Sequence, residues 1–90
     1  MIINNIYYSD DFLKLFKKLE KNIQNIADKK IKLFEVNPLH PSLRLHSLKG
    51  NLKGLWSISF KGQYRVIFER ASNGDINLYS IGKHDLYKNL

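Results

Sequence analysis

The chain contains no cysteine among its 90 residues. A disulfide framework and a thiolate metal site are therefore excluded, and we expect a cytoplasmic protein rather than one from an oxidising compartment. No run of about 18 apolar residues is present, which excludes a membrane-spanning helix. The first residues also lack the charged and apolar regions of a secretory signal. The absences favour a small domain that is held together by its own core or by a partner.

Recognisable metal and phosphate motifs are also missing. The acidic residues show no clustered metal-site pattern, and no glycine-rich run precedes the Gly-Lys-Ser/Thr sequence of a phosphate-binding loop. We therefore expect neither a metal nor another cofactor.

Acidic residues are few. Eight Asp and Glu face 15 Lys and Arg, which gives a net charge of +7 and a pI near 9.7. A basic excess of this size on a single domain, residues 1–90, favours a polyanionic partner. Many small basic proteins bind no nucleic acid, so charge alone leaves the partner open.

Hydrophobic periodicity predicts the elements. Residues 2–8 are rich in β-branched and aromatic side chains, which is typical of a strand. Apolar residues then recur every three or four positions, which predicts helices over 10–20 and 23–36, packed as an antiparallel hairpin. Ser9 is the predicted N-cap of the first helix and Asn22 that of the second.

The second half of the chain is predicted to form a sheet. A loop over 37–54 leads to strands at 55–60 and 63–70, joined by a tight Lys61-Gly62 turn, and then to a strand at 76–81. The order is β-α-α-β-β-β, an α+β fold with the helix hairpin on one face of a small, mainly antiparallel sheet. We expect the helices to cover Trp56, Val66, Phe68, Ile76 and Leu78. The opposite face is expected to be open, with Ser57, Ser59, Arg65, Asn77 and Tyr79 on it.

Residues suited to RNA cleavage converge on that open face in the predicted fold. They are His46 from the loop, Arg65 from the strand, and His84 with Tyr87 from the end of the chain. Positive charge around them comes from Lys49, Lys53, Lys61 and Lys83. Histidine suits proton transfer at neutral pH, and arginine can stabilise the charge that develops on a phosphoryl group.

Each of these residues also has a structural interpretation. A loop histidine such as His46 is usually solvated, Arg65 is placed to pair with Glu69, and Tyr87 is suited to anchor the end of the chain against the sheet. The residue types alone leave both interpretations open.

Three segments resemble a known superfamily: LKGNLKGLWS (48–57), QYRVIF (63–68) and IGKHDLY (81–87). They are similar to the RelE/ParE superfamily of bacterial toxins, with YoeB/YafQ-like mRNA interferases as the most similar branch. The resemblance implies a type II toxin, an endoribonuclease that cuts mRNA on the ribosome by metal-independent 2′-OH attack. It also implies a cognate antitoxin as partner, with which the chain would form a hetero-oligomer, and no association with a membrane.

The resemblance also implies roles for individual residues. His46 stands where such toxins place a general base, Arg65 matches the arginine that stabilises the transition state, and His84 matches the general acid. Tyr87 lies near an aromatic position that stacks a base or orients the phosphate. The RNA-facing loop would carry Lys49 and Lys53.

One departure from the family pattern concerns residues 57–59, where several active members carry a second arginine. Either Lys53 or Lys83 supplies the missing charge, or activity is weak. Two alternatives stay open: a ParE-like toxin that poisons DNA gyrase without cutting RNA, and a degenerate member that only binds antitoxin.

Overall fold

The computed structural model describes residues 1–83, and its elements follow the predicted order. The strands and helices are β1 (Ile6–Tyr8), α1 (Asp10–Lys17), α2 (Lys21–Val36), β2 (His46–Ser47), β3 (Leu55–Phe60), β4 (Tyr64–Arg70) and β5 (Ile76–Lys83). β2 lies within the segment predicted to be a loop. It forms because it pairs with β3, a partner that local sequence does not reveal. Within residues 1–83, no helix is both long enough and apolar enough to cross a bilayer.

Ser9 caps α1, as predicted. Its Oγ accepts a hydrogen bond from the backbone N–H of Phe12 at 3.0 Å, which satisfies one of the free donors at the start of the helix. The same hydroxyl donates to the carbonyl oxygen of Tyr79 at 3.2 Å. The cap therefore also joins α1 to β5.

The corner between the helices differs from the prediction. α1 ends at Lys17 rather than at residue 20, and α2 begins at Lys21. Asn22 is therefore not the N-cap but lies in the first turn of α2. The helical hydrogen bonding starts where the backbone N–H of Gln24 donates to the carbonyl of Glu20 at 2.9 Å. Periodicity misplaces these boundaries because the apolar spacing continues through the corner.

The sheet is mixed, with strand order β1-β5-β4-β3-β2. β1 runs parallel to β5, and the other neighbours are antiparallel. The predicted hairpin is present, but its connection is one residue longer than predicted because Phe60 pairs with Tyr64. Lys61 and Gly62 both have positive φ angles there, 51° and 77°.

The helices cover one face of this sheet and form the core with it. The rings of Phe34 in α2 and Phe68 in β4 lie 4.9 Å apart. The largest buried apolar side chains of this core are Phe12, Phe34, Leu43, Ile58, Phe68, Ile76, Leu78 and Ile81. Of the predicted core residues, Val66, Phe68, Ile76 and Leu78 are buried, and Trp56 is only partly buried at its edge.

The opposite face is not open along its centre, which corrects the prediction. Ser57 is fully buried and Ser59 is 5% exposed. Their side chains are short and are flanked by larger neighbours, His46 on one side and Arg65 on the other. Tyr79 is exposed as predicted. It is the extra residue of a register shift, since Ile67 pairs with Ser80 and Phe68 pairs with Leu78.

Candidate active site

Arg65 lies in β4 on the face away from the helices, directly opposite Ser59 of β3. Its guanidinium folds back over the hairpin turn. One nitrogen, Nη1, donates to the carbonyl of Tyr64 at 3.1 Å and to that of Gly62 at 3.3 Å. A guanidinium has five N–H donors, so these contacts orient the group and leave most of its donors for a ligand.

The possible ion pair of Arg65 with Glu69 does not match this geometry. Glu69 lies four residues along β4, about 13 Å away at the rise of an extended strand. Its carboxylate accepts a hydrogen bond from Nδ2 of Asn77 at 3.3 Å. The positive charge of Arg65 is therefore directed towards the turn, away from that carboxylate.

His46 lies in the edge strand β2 and is exposed. Its Cα pairs with that of Ser57, and its Nδ1 is 3.4 Å from the Ser57 hydroxyl oxygen. This contact orients the ring and leaves Nε2 for another partner. His40, by contrast, is engaged by its own loop, because its Nδ1 accepts the backbone N–H of Ser42 at 3.1 Å.

The sheet places His46 and Arg65 on the same face but not in contact. β3 lies between them, and the register offsets them by two residues, since His46 is opposite Ser57 and Arg65 is opposite Ser59. Standard strand spacing puts their Cα atoms about 12 Å apart. Two long side chains can approach a common ligand over that span.

The two remaining predicted catalytic residues, His84 and Tyr87, lie outside the described residues. The described chain ends at Lys83, whose Cα pairs with that of Tyr64, while Gly82 pairs with Arg65. The segment that immediately precedes His84 therefore lies beside Arg65.

The predicted RNA-binding lysines divide between two places. Lys49 and Lys53 line a cleft of about 430 Å³ together with the partly buried Trp56. Lys61 and Lys83 lie at the other end of the strands. Lys61 is in the turn before Arg65, whereas Lys83 pairs with Tyr64 and therefore lies on the other face of the sheet from Arg65.

A second basic groove involves a residue that the sequence did not single out. Pro41, Ser42 and Arg44 form one wall, and residues 59–62 form the other, around a volume of about 420 Å³. Arg44 is exposed and has a φ of 48°. Nothing in the sequence marks Arg44, because its position depends on how the 41–44 loop lies against β3.

Comparison with known proteins agrees with this architecture. Residues 5–84 match the family model of the RelE-like toxin of the type II toxin-antitoxin system HigB. The chain belongs to this family of RelE-like toxins. A curated relative, toxin HigB-1 of Vibrio cholerae, is 30% identical in an alignment of 79 residues, and the match covers 81% of this chain and 81% of the relative. The predicted membership of the RelE/ParE superfamily is thereby confirmed.

Solved structures share the fold of this HigB-like toxin. YafQ in the E. coli DinJ–YafQ toxin-antitoxin complex superposes with a TM-score of 0.72 at 20% identity, covering 93% of this chain and 94% of YafQ. A YoeB/ParE toxin from Agrobacterium tumefaciens gives a TM-score of 0.72 at 13% identity, covering 90% and 99%. One chain of the toxin-antitoxin complex RelBE2 of Mycobacterium tuberculosis gives a TM-score of 0.68 at 16% identity, covering 92% of this chain and 93% of that one. At these identities the likeness concerns the fold, and the predicted RelE-like architecture is confirmed.

Proposed function

We propose that this HigB-like toxin is an endoribonuclease that cleaves mRNA on the ribosome by attack of a 2′-OH on the adjacent phosphorus. The observation that carries the proposal is the placement of His46 and Arg65 on one face of the sheet, with Arg65 beside the strand that leads into His84. Family membership supports the same conclusion.

Each step of the reaction has a suitable group. His46 acts as the general base through Nε2, since Nδ1 faces Ser57, and it takes the proton from the 2′-OH. Arg65 donates hydrogen bonds to the phosphoryl oxygens as negative charge develops on them. His84 acts as the general acid that protonates the departing 5′-oxygen, and Tyr87 positions the base or the phosphate. Base, cation and acid are all side chains, so the proposed reaction uses no metal.

The surroundings of these residues suit a polyanion. Lys61 lies in the turn beside Arg65, and Lys83 pairs with Tyr64 at the edge of that region, while Lys49 and Lys53 lie around the cleft beside Trp56. We expect the lysines to hold the RNA backbone, since exposed cations supply most of the affinity for phosphates.

A protein antitoxin is the other proposed partner. YafQ and RelBE2 were each solved in a toxin-antitoxin complex. An antitoxin with acidic and apolar segments would neutralise the basic surface of this chain, and such segments commonly order on binding. We expect this function in the cytoplasm, because the proposed action is on ribosomes.

The proposal is tested by induced expression in a bacterial host, followed by primer extension on a cellular mRNA. The wild-type chain should arrest growth and create new 5′ ends at codon-related positions. Arg65→Ala and His84→Ala should abolish those ends, because they remove the transition-state charge and the acid. Loss of a positioned general acid alone costs on the order of 10²–10⁴-fold in rate.

Arg70→Ala is the matched control, since Arg70 is an exposed arginine at the far end of the same strand. It should remain as toxic and as active as the wild type. Growth arrest without mRNA cleavage would contradict the proposed nuclease and favour a gyrase-binding toxin. Absence of arrest from a folded wild-type chain would identify a degenerate member of the family.

A further inference from the structure

The groove between the 41–44 loop and the β3–β4 turn has the features of an anion site. Arg44 and Lys61 line opposite walls, and none of the described residues in the lining carries a carboxylate. Arg65 lies next to the groove, because its guanidinium donates a hydrogen bond to the carbonyl of Gly62, a residue of the wall. Two cationic side chains therefore line the groove, and a third lies beside it.

The backbone of β3 adds a donor to this groove. Leu55 accepts a hydrogen bond from the backbone N–H of Leu48 at 2.9 Å, so Leu55 turns its polar groups towards β2. Backbone groups alternate sides along an antiparallel strand, so those of Ser57 and Ser59 point the same way. β2 begins at His46, which pairs with Ser57. The N–H of Ser59 therefore lies beyond the paired stretch and faces the groove.

The backbone conformation of two residues also marks this groove. Among the described residues, Arg44 and Lys61 are the two non-glycine residues with positive φ angles, 48° and 51°. A left-handed conformation costs a residue with a side chain about 1–2 kcal/mol, and such costs concentrate at functional sites. Here both residues are basic, and both line the groove.

Ser59 determines the geometry of the space. It lies in one cross-strand row with Arg65, with which it pairs, and Arg44 lies on its other side across the groove. The serine side chain is short and 5% exposed, so a ligand lying over it can approach Arg44 from one side and Arg65 from the other. Adjacent strands are about 4.8 Å apart, which places the two arginine backbones roughly 10 Å from each other.

We propose that this groove binds a backbone phosphate of the RNA strand, next to the phosphate held by Arg65. Arg44 and Lys61 supply the charge, and the N–H of Ser59 supplies a directed hydrogen bond. The contact sets the position of the strand on the sheet. This proposal rests on the proposed function in one respect only, namely that the ligand is RNA.

The first test maps the site directly by NMR. The ¹⁵N-labelled full-length chain is titrated at low salt with a short, single-stranded 2′-O-methyl oligoribonucleotide, which cannot undergo 2′-OH attack. The backbone amide signals of Arg44, Ser59, Lys61 and Gly62 should shift together. If none of the four signals moves, the proposal is wrong, whatever the cleavage assay shows.

Substitutions then test the charge. Arg44→Asn is the informative variant, because asparagine tolerates positive φ angles and the fold is preserved while the cation is lost. It should weaken oligonucleotide binding several-fold and lower the slope of log K against log salt by about 0.7, the value for one phosphate of a single strand. Arg44→Lys should retain the slope. Arg70→Asn, at the far end of β4, should leave both affinity and slope unchanged.

Two further outcomes would overturn the proposal. An unchanged salt slope in Arg44→Asn would show that no phosphate contact is made there. If inorganic phosphate alone saturates the groove signals while the oligonucleotide shifts only other amides, the groove is a general anion site. A wild-type chain that shifts the groove signals but never cuts mRNA would remove the proposed nuclease and leave the phosphate contact standing.

Discussion

At the scale of single residues, the ionisation of Tyr8 links acidic residues of α2 to the free energy of unfolding. Its ring lies 5.6 Å from that of Phe12, edge to face. Partial burial raises the pKa of the Tyr8 hydroxyl above its usual value of 10.0, and the carboxylates of Asp28 and Glu35 raise it further. In the unfolded chain the same hydroxyl loses its proton near pH 10.

This difference predicts a pH dependence of the free energy of unfolding. Above about pH 10 the unfolded state releases the Tyr8 proton while the folded state keeps it, so stability falls as the pH rises. Tyr8→Phe removes that contribution. Urea unfolding measured from pH 8 to pH 11 should therefore show a shallower loss of stability for Tyr8→Phe than for the wild type. If the free energy of unfolding falls equally with pH in the two proteins, the Tyr8 hydroxyl is not the source of the pH dependence.

At the scale of elements, the turn before β5 holds the N-terminal segment. Gly74 is buried and has a φ of 91°. Its carbonyl accepts the backbone N–H of Asn4 at 3.0 Å. A Cβ at this position would lie 3.0 Å from the backbone carbonyl oxygen of Ile2. The Gly74 turn and the segment leading into β1 therefore fit together closely.

Gly74→Ala should be more destabilising than the matched substitution Gly62→Ala. Gly62 also has a positive φ, 77°, but a Cβ there meets nothing within 4 Å. Gly62→Ala should cost about 1–2 kcal/mol for the conformation alone. Gly74→Ala carries a similar cost and must also displace the N-terminal segment, so we expect about 1 kcal/mol more. If urea unfolding gives the same loss in the free energy of unfolding for both variants, the N-terminal segment can move aside without an energetic cost.

At the scale of the whole molecule, the helices and the sheet share one core. Trp56, the only tryptophan, lies in β3 and reports on the sheet, whereas far-UV circular dichroism is dominated by the helices. Both signals should give one urea transition, because a single domain of this size unfolds cooperatively.

Phe34→Leu should shift both transitions together, since Phe34 is fully buried and packs on Phe68 across the helix–sheet interface. We expect a loss of about 1–2 kcal/mol in the free energy of unfolding. Leu39→Ala, at a side chain that is 65% exposed, should leave both midpoints in place. Separate midpoints for fluorescence and circular dichroism would contradict a single cooperative core.

Most of the secondary structure could be predicted from local pattern. The N-cap at Ser9, the alternation in β3 and β4, and the three- and four-residue spacing of the helices are each encoded within a few neighbouring residues. The prediction was wrong about the end of α1 and about the length of the β3–β4 turn, and it missed the pairing of β2. The pairing of β2 depends on a strand distant in sequence. The end of α1 is hidden because the apolar spacing continues through the corner, and the length of the turn depends on a positive φ angle at Lys61, which no residue type there signals.

The amino-acid sequence by itself determined the fold class and the strong positive charge, and its motifs pointed to His46 and Arg65, because periodicity, composition and motif are local properties. Only the tertiary structure decided how these groups are arranged. It buried Ser57 and Ser59, turned the Arg65 guanidinium towards Gly62, and brought Arg44 to the groove beside Ser59. The physical reason is that strand register and loop packing join residues far apart in the chain, and such contacts leave no periodic trace in the sequence.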